Sequence, residues 1–166
     1  MWPTLLLAIC VSLTGVAPAF ARTNCTAPAA AGVEWRRCRQ DGLDLRNADL
    51  RRAELRDATF QRTDLSGATL VDVDAFRARF VSAQLRGTKL DGARLIEVDF
   101  TRADMEGASL RGADLRGARL YGARLVGADL TGATIAGADL TSADFAGATW
   151  VDGKRVCATP SVGQCN

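Results

Sequence analysis

Histidine is absent from this 166-residue sequence, and aromatic residues make up only 6% of it. The first absence excludes a nucleophile–imidazole pair, a histidine metal site and any side chain that normally titrates between about pH 5 and 8. Proline is scarce at four residues, and no proline- or serine-rich stretch separates one domain from another. Charge of one sign is lacking too, since 21 Lys and Arg nearly balance 19 Asp and Glu for a formal +2. A field that weak argues against nucleic acid as a partner. Of the five cysteines, none lies between Cys38 and Cys157, a gap that holds most of the chain.

A strict period fills that gap. Every fifth residue from Leu45 to Trp150 is apolar, through Leu50, Leu55 and Phe60 to Leu140 and Phe145, with nothing inserted or deleted over 22 units. Helical faces recur every ~3.6 residues, so a five-residue repeat would drift round a helix and bury no stripe. Strand faces alternate every second residue, so an odd repeat would flip inside to outside at each copy. The pattern survives only if each unit holds a short extended piece and then a corner that resets the phase. Two residues before each apolar centre, Ala occurs in 17 of the 22 units, which fits a narrow coil with room for one large side chain per unit.

The corners follow two residues after each centre, where Gly occurs in 11 of the 22 units, among them Gly67, Gly107 and Gly132. Gly permits the positive φ of a tight turn, and Asn47, Asp57, Asp72 and Asp152 are the next most tolerant types there. Arg52, Arg62, Arg77 and Glu97 at the same place predict a different turn type in the earlier units.

The units Ala48-Asp49-Leu50-Arg51-Arg52, Ala113-Asp114-Leu115-Arg116-Gly117 and Ala128-Asp129-Leu130-Thr131-Gly132 resemble the A(D/N)LXX consensus of pentapeptide-repeat proteins. The resemblance implies an all-β fold, a right-handed quadrilateral β-helix with four units per coil, hence about 5.5 coils for 22 units. At about 4.8 Å per layer such a rod would be on the order of 26 Å long. Residues twenty apart then become ladder neighbours. Phe60, Phe80 and Phe100 stack along one inner edge, and Asp57, Arg77 and Glu97 alternate in sign outside, as do Arg79, Asp99, Arg119 and Asp139. Activity does not follow from the fold. Some members mimic DNA and protect topoisomerases, but those rods are strongly acidic, cytoplasmic and dimeric through a helical C-terminal segment. The +2 charge and the 16 residues after Trp150 set this chain apart from them.

Four segments are expected: a signal peptide at 1–21, an N-terminal cap at 22–42, the repeats at 43–152 and a C-terminal cap at 153–166. Residues 1–21 carry no charged side chain, and an apolar run from Leu5 to Val16 precedes the small-x-small site Ala19-Phe20-Ala21. Export to the periplasm or beyond follows, with no membrane-spanning segment in the mature bacterial protein. Discounting Cys10, an even four cysteines at the ends of an exported chain read as disulfides. Local pairs, Cys25–Cys38 and Cys157–Cys165, are preferred to the two crossed connectivities because the rod implied by the resemblance holds the pairs apart. A zinc site is discounted, since there is no CxxC and the two ends would have to meet. The stretches Gly32 to Cys38 and Trp150 to Cys165 also resemble flanks of exported bacterial pentapeptide-repeat proteins, with Trp35 and Trp150 as lids over the end layers.

No catalytic constellation, cofactor motif or metal site is visible, and the chain reads as non-enzymatic. Two surface features are the candidate sites. One is the arginine-rich early region, represented by Arg51, Arg52 and Arg56, with the alternative that it is a solvated wall paired with interleaved acids. The other is the irregular unit at Val71 to Phe76, where Ala75 underfills a centre and Phe76 falls on an outward position. Ile96 would lie beside it, with Val71, Val81 and Tyr121 in the equivalent slot on neighbouring faces, an apolar patch that would mark a partner surface. The alternative is Phe76 turned inward to fill the space beside Ala75. The expected function is a binding or scaffold module for a protein or envelope polymer. DNA mimicry and a purely structural role are the other readings, and the oligomeric state stays open.

Overall fold

In the computed structural model, which describes residues 24–166, the five-residue period folds into four-sided coils. Parallel β-bridges join residues twenty apart, from Glu34↔Glu54 and Arg39↔Thr59 to Asp129↔Thr149, so one coil takes twenty residues. From Leu45 to Leu130 the amide of each centre donates to the carbonyl nineteen residues on, as Leu50 does to Thr69 at 2.8 Å. The residue before the centre bonds one coil back, as Thr69 donates to Ala48 at 2.9 Å. The expected signal peptide, its cleavage site before Arg22 and Cys10 lie outside the described residues. No helix among the described residues is long and apolar enough to cross a membrane.

The corners differ from expectation. Each is closed by a bond from the residue three past the centre to the centre's carbonyl, as in Ala53 N–H to Leu50 C=O at 3.1 Å. The residue two past the centre has positive φ whether it is Gly or not: 55° at Arg52, 56° at Arg62, 57° at Arg77 and Glu97, against 64° at Gly107. Positive φ at the third of four residues is the mark of a type II turn. Early and late units therefore share one corner, because the coil's closure fixes the backbone and the left-handed cost of about 1–2 kcal/mol is borne locally. At the end of the repeats the pattern slips by one. Gly153 takes the positive φ of 68° that was expected at Asp152, whose carboxylate instead accepts the amides of Lys154 and Arg155. The same corners also reach back before residue 43, through Gly32, Arg37 and Gly42.

The inner face is dry and layered. Phe60 and Phe80 stack at 4.9 Å, and Phe80 and Phe100 at 5.3 Å. Each fully buried Leu or Phe contributes about 1.5–3 kcal/mol by leaving water. Thr63 and Thr88 replace the inner Ala in two units, and their hydroxyls donate to Gln40 C=O and Leu65 C=O at 2.7 and 2.9 Å. Ala75 is fully buried, and Val73 in its small-residue slot is buried beside it, so that unit has exchanged the sizes of its two inner residues.

Both ends are dressed. At the N-terminal end Cys25–Cys38 ties residues before the coil to the coil itself, with Cα atoms 5.3 Å apart. Trp35 is buried and its indole donates to Ala27 C=O, while the Gln40 amide, at the phase of a centre, donates to Cys25 C=O at 2.9 Å. At the other end the chain reverses after Trp150 and runs back antiparallel, bridging Val156 to Thr149 and Val162 to Asp144. Cys157–Cys165 closes this return segment on itself. Trp150 meets Phe145 edge-on at 5.3 Å and stays half-exposed.

Candidate binding face

The acidic residue before each centre has a backbone job. The carboxylate of Asp49 accepts the N–H of Arg51, and Asp64, Asp99, Asp114, Asp129, Asp139 and Asp144 do the same for the residue two on. That amide points outward at the corner and would otherwise depend on water. The Arg51 guanidinium adds a two-pronged contact that holds the Asp49 carboxyl at about 2, below the usual carboxylate range. Arg46 does the same for Asp44, also to about 2. These carboxylates are corner supports rather than acid–base partners. Among the described residues no three Cys, Asp or Glu side chains converge in a way that could hold a metal ion.

Phe76 points outward. Its ring is half-exposed, and three guanidiniums lie over it: Arg77 at 4.7 Å, Arg94 at 5.1 Å and Arg56 at 5.3 Å from the centroid. Its own N–H donates to Asp74, which also pairs with Arg94 at 3.1 Å and Arg56 at 3.9 Å. Arg77 pairs with Glu97 at 2.8 Å. Cation–π contact and ion pairing together fix three cations around one apolar surface. Along the same corner, one concavity of about 410 Å³ is lined by Arg36, Arg37, Arg56 and Asp57. A second of about 330 Å³ is lined by Arg77, Arg79, Glu97, Asp99, Gly117 and Arg119. Arg37 and Arg79 make no ion pair among the described residues, so each basin holds a cation without a fixed counter-charge.

The other candidate residues scatter. Ile96 lies one coil beyond Phe76 on the same side and is half-buried. Val71 is on the preceding side, and Val81 and Tyr121 (44% exposed) are on the following one, two coils apart. Arg51 and Arg52 share the Val71 side, Arg51 being committed to Asp49. Of the named candidates, Ile96 in the adjacent coil and Arg56 over the ring keep company with Phe76. The cluster's other members, Arg77 and Arg94, were not among the candidate site residues, although a twenty-residue coil places residue 94 diagonally across from 76. That offset of eighteen recurs in the pairs Arg36–Glu54, Arg86–Asp104 and Arg111–Asp129.

Residues 41–74, 78–117 and 113–149 match the family described as pentapeptide repeats, in eight copies. No curated protein sequence matches the chain. Among solved structures, full-length QnrB1, a plasmid-mediated fluoroquinolone resistance protein, is similar at 16% identity and a TM-score of 0.53. That match covers 71% of this chain and 65% of QnrB1, so the chain spans less than two thirds of that protein. A pentapeptide repeat protein from the cyanobacterium Cyanothece 51142 is 28% identical over 63% of this chain and 85% of its own, with a TM-score of 0.44. One from Nostoc PCC 7120 is 46% identical over 49% of this chain and 67% of its own, with a TM-score of 0.48. The family match gives the coil its hand: these folds are right-handed β-helices.

Proposed function

The chain belongs to the pentapeptide-repeat family, and from that premise we propose that it is a non-enzymatic binding module of the cell envelope or its exterior. Its two disulfides point to an oxidising, non-cytoplasmic compartment. The observation that carries the reading is Phe76, an outward aromatic ring held among Arg56, Arg77 and Arg94. A partly buried outward ring flanked by fixed guanidiniums suits a partner with apolar surface and regularly spaced anionic groups. Such a partner is a carboxylate- or phosphate-bearing envelope polymer or an acidic protein face. Topoisomerase protection by DNA mimicry is the other reading. It asks for an acidic wall, whereas this corner gathers Arg36, Arg37, Arg56, Arg77, Arg79 and Arg94.

The test is calorimetric titration of the purified protein with a carboxylated polysaccharide and with an acidic polypeptide, at low and at physiological salt. Binding weakened by salt and reduced at least tenfold by Phe76→Ala, but untouched by Arg111→Ala on another side, supports the reading. Binding that ignores Phe76→Ala would sink it. Protection of a topoisomerase from a fluoroquinolone by this chain would replace it with the second reading.

A further inference from the structure

Each coil is joined to the next by the N–H of a centre and the C=O of the residue two before it. On the last coil, two of the four sides keep these groups unjoined. Among the described residues, Ile135 N–H, Leu140 N–H, Ala133 C=O and Ala138 C=O have no hydrogen-bond partner. Their counterparts on the other two sides are paired by the return segment. Phe145 N–H meets Ser161 C=O and Gly163 N–H meets Ala143 C=O, both at 2.8 Å; Cys157 N–H meets Ala148 C=O at 2.9 Å. The return segment is therefore a half layer, and beside it is a step. Side chains follow suit, since Ile135 and Leu140 are half-exposed while Leu115 and Leu120 one coil back are fully buried.

The half layer has an outer edge of its own. Val156 and Val162, 61% and 55% exposed, bridge inward through their neighbours, so their own N–H and C=O groups face away from the coil and have no partner among the described residues. In a parallel β-pair one residue donates to the carbonyl before its partner and accepts from the amide after it. Val156 opposite Thr134 would join Val156 N–H to Ala133 C=O and Ile135 N–H to Val156 C=O. Val162 opposite Asp139 would join Val162 N–H to Ala138 C=O and Leu140 N–H to Val162 C=O. These two centre amides and two carbonyls each find a mate, while the corner amides of Gly137 and Ser142 stay unjoined; the pairing forms only between two molecules, because within one chain the half layer and the step lie over different sides.

We propose that two copies of this chain join tail to tail about a two-fold axis, each return segment filling the step of the other. An axis lying across the rod and through the corner of the coil lays the sides at 144 and 149 of one copy over those at 139 and 134 of the other. It also makes the return segment run parallel to the strand it meets, as the pairing requires. Such a contact is isologous and closes at two copies. A single extended peptide fits less well, since the step spans two sides that meet at the Gly137 corner, φ 70°, and the return segment is already bent round the Gly147 corner that the axis lays over it. The first coil of another copy is blocked, because the half layer stands one strand above the step. The face carries little charge: residues 131–150 contain Asp139 and Asp144 and no Lys or Arg. This contact is separate from the Phe76 face and stands or falls without it.

Sedimentation equilibrium of the purified protein across a wide concentration range tests the proposal. The expected result is a reversible dimer, weakened at least tenfold by Val156→Pro, which removes an outward N–H and leaves the inward bonds of Arg155 and Cys157. Should that variant misfold, amide exchange on the unaltered protein decides, with protection at Ile135 and Leu140 rising with concentration. The double variant Thr134→Cys, Val156→Cys should oxidise to a dimer linked through both sites. A chain monomeric at every concentration overturns the proposal. So does a dimer with no concentration-dependent protection at Ile135 and Leu140.

Discussion

The ring of Phe60 lies flat on that of Phe80, 4.9 Å apart and 5° from parallel, one coil above the other. Phe80 is thereby sandwiched, because Phe100 covers its other face at 5.3 Å. A coil this narrow has no second layer that can move in. Phe80→Ala is expected to cost about 3–5 kcal/mol, at the full cavity value, read as a fall in the urea midpoint. A loss under about 1 kcal/mol would mean the coils slide together to close the gap.

Phe76 sits one past a centre and points outward, where Phe80 is a centre and points in. Phe76→Ala removes three cation–π contacts at a half-exposed site, each worth about 0.5–1 kcal/mol at most. The unfolding free energy should fall by no more than about 3 kcal/mol, the sum of those contacts, while binding of an anionic partner collapses. A large stability loss with binding intact would make Phe76 a structural residue.

Arg62 holds φ at 56° with no ion pair among the described residues to repay it. Arg62→Gly should raise stability by about 0.5–1 kcal/mol, the left-handed penalty less the extra freedom of glycine when unfolded. Glu97→Gly removes the same strain but also the 2.8 Å pair with Arg77, so its gain should be smaller. Equal or reversed gains in thermal unfolding would refute the corner account.

The disulfides close short loops, of sequence separation 13 and 8. Replacing either pair by serine should cost about 2–3 kcal/mol through the entropy of the unfolded chain. The N-terminal pair should cost more, because Cys25–Cys38 also holds the carbonyl that accepts the Gln40 amide. Chemical unfolding of the two double variants compares them directly.

With no histidine, no side chain of this sequence ordinarily titrates between about pH 5 and 8, so stability should be flat there. Asp44 and Asp49 are held at about 2 by Arg46 and Arg51, below their ordinary unfolded value. Between about pH 2 and 4 the unfolded chain binds more protons at these two carboxyls, so stability rises with pH there. The contribution is present above about pH 4 and is lost as pH falls through about 2. A thermal midpoint that changes between pH 5 and 8 would contradict this.

The five-residue period settled the inside of the molecule. An uninterrupted odd repeat admits only a coil with a corner in every unit, and the four units per coil implied by the family resemblance then placed Phe60, Phe80 and Phe100 on one ladder. The irregular unit was legible as an irregularity, but its sense was not. A sequence cannot say whether Val73 or Phe76 fills the space beside Ala75, because both side chains are large enough and only the closed coil shows which points inward. The corners at Arg52, Arg62, Arg77 and Glu97 were misjudged for a related reason: coil closure imposes positive φ on whatever residue arrives, and local preference is overridden. Side-chain reach decided the outside. Arg94 meets Phe76 across eighteen residues because a guanidinium spans the diagonal of a four-sided wall. The return over the last coil likewise depends on where the chain reverses after Trp150, a geometry that composition does not encode.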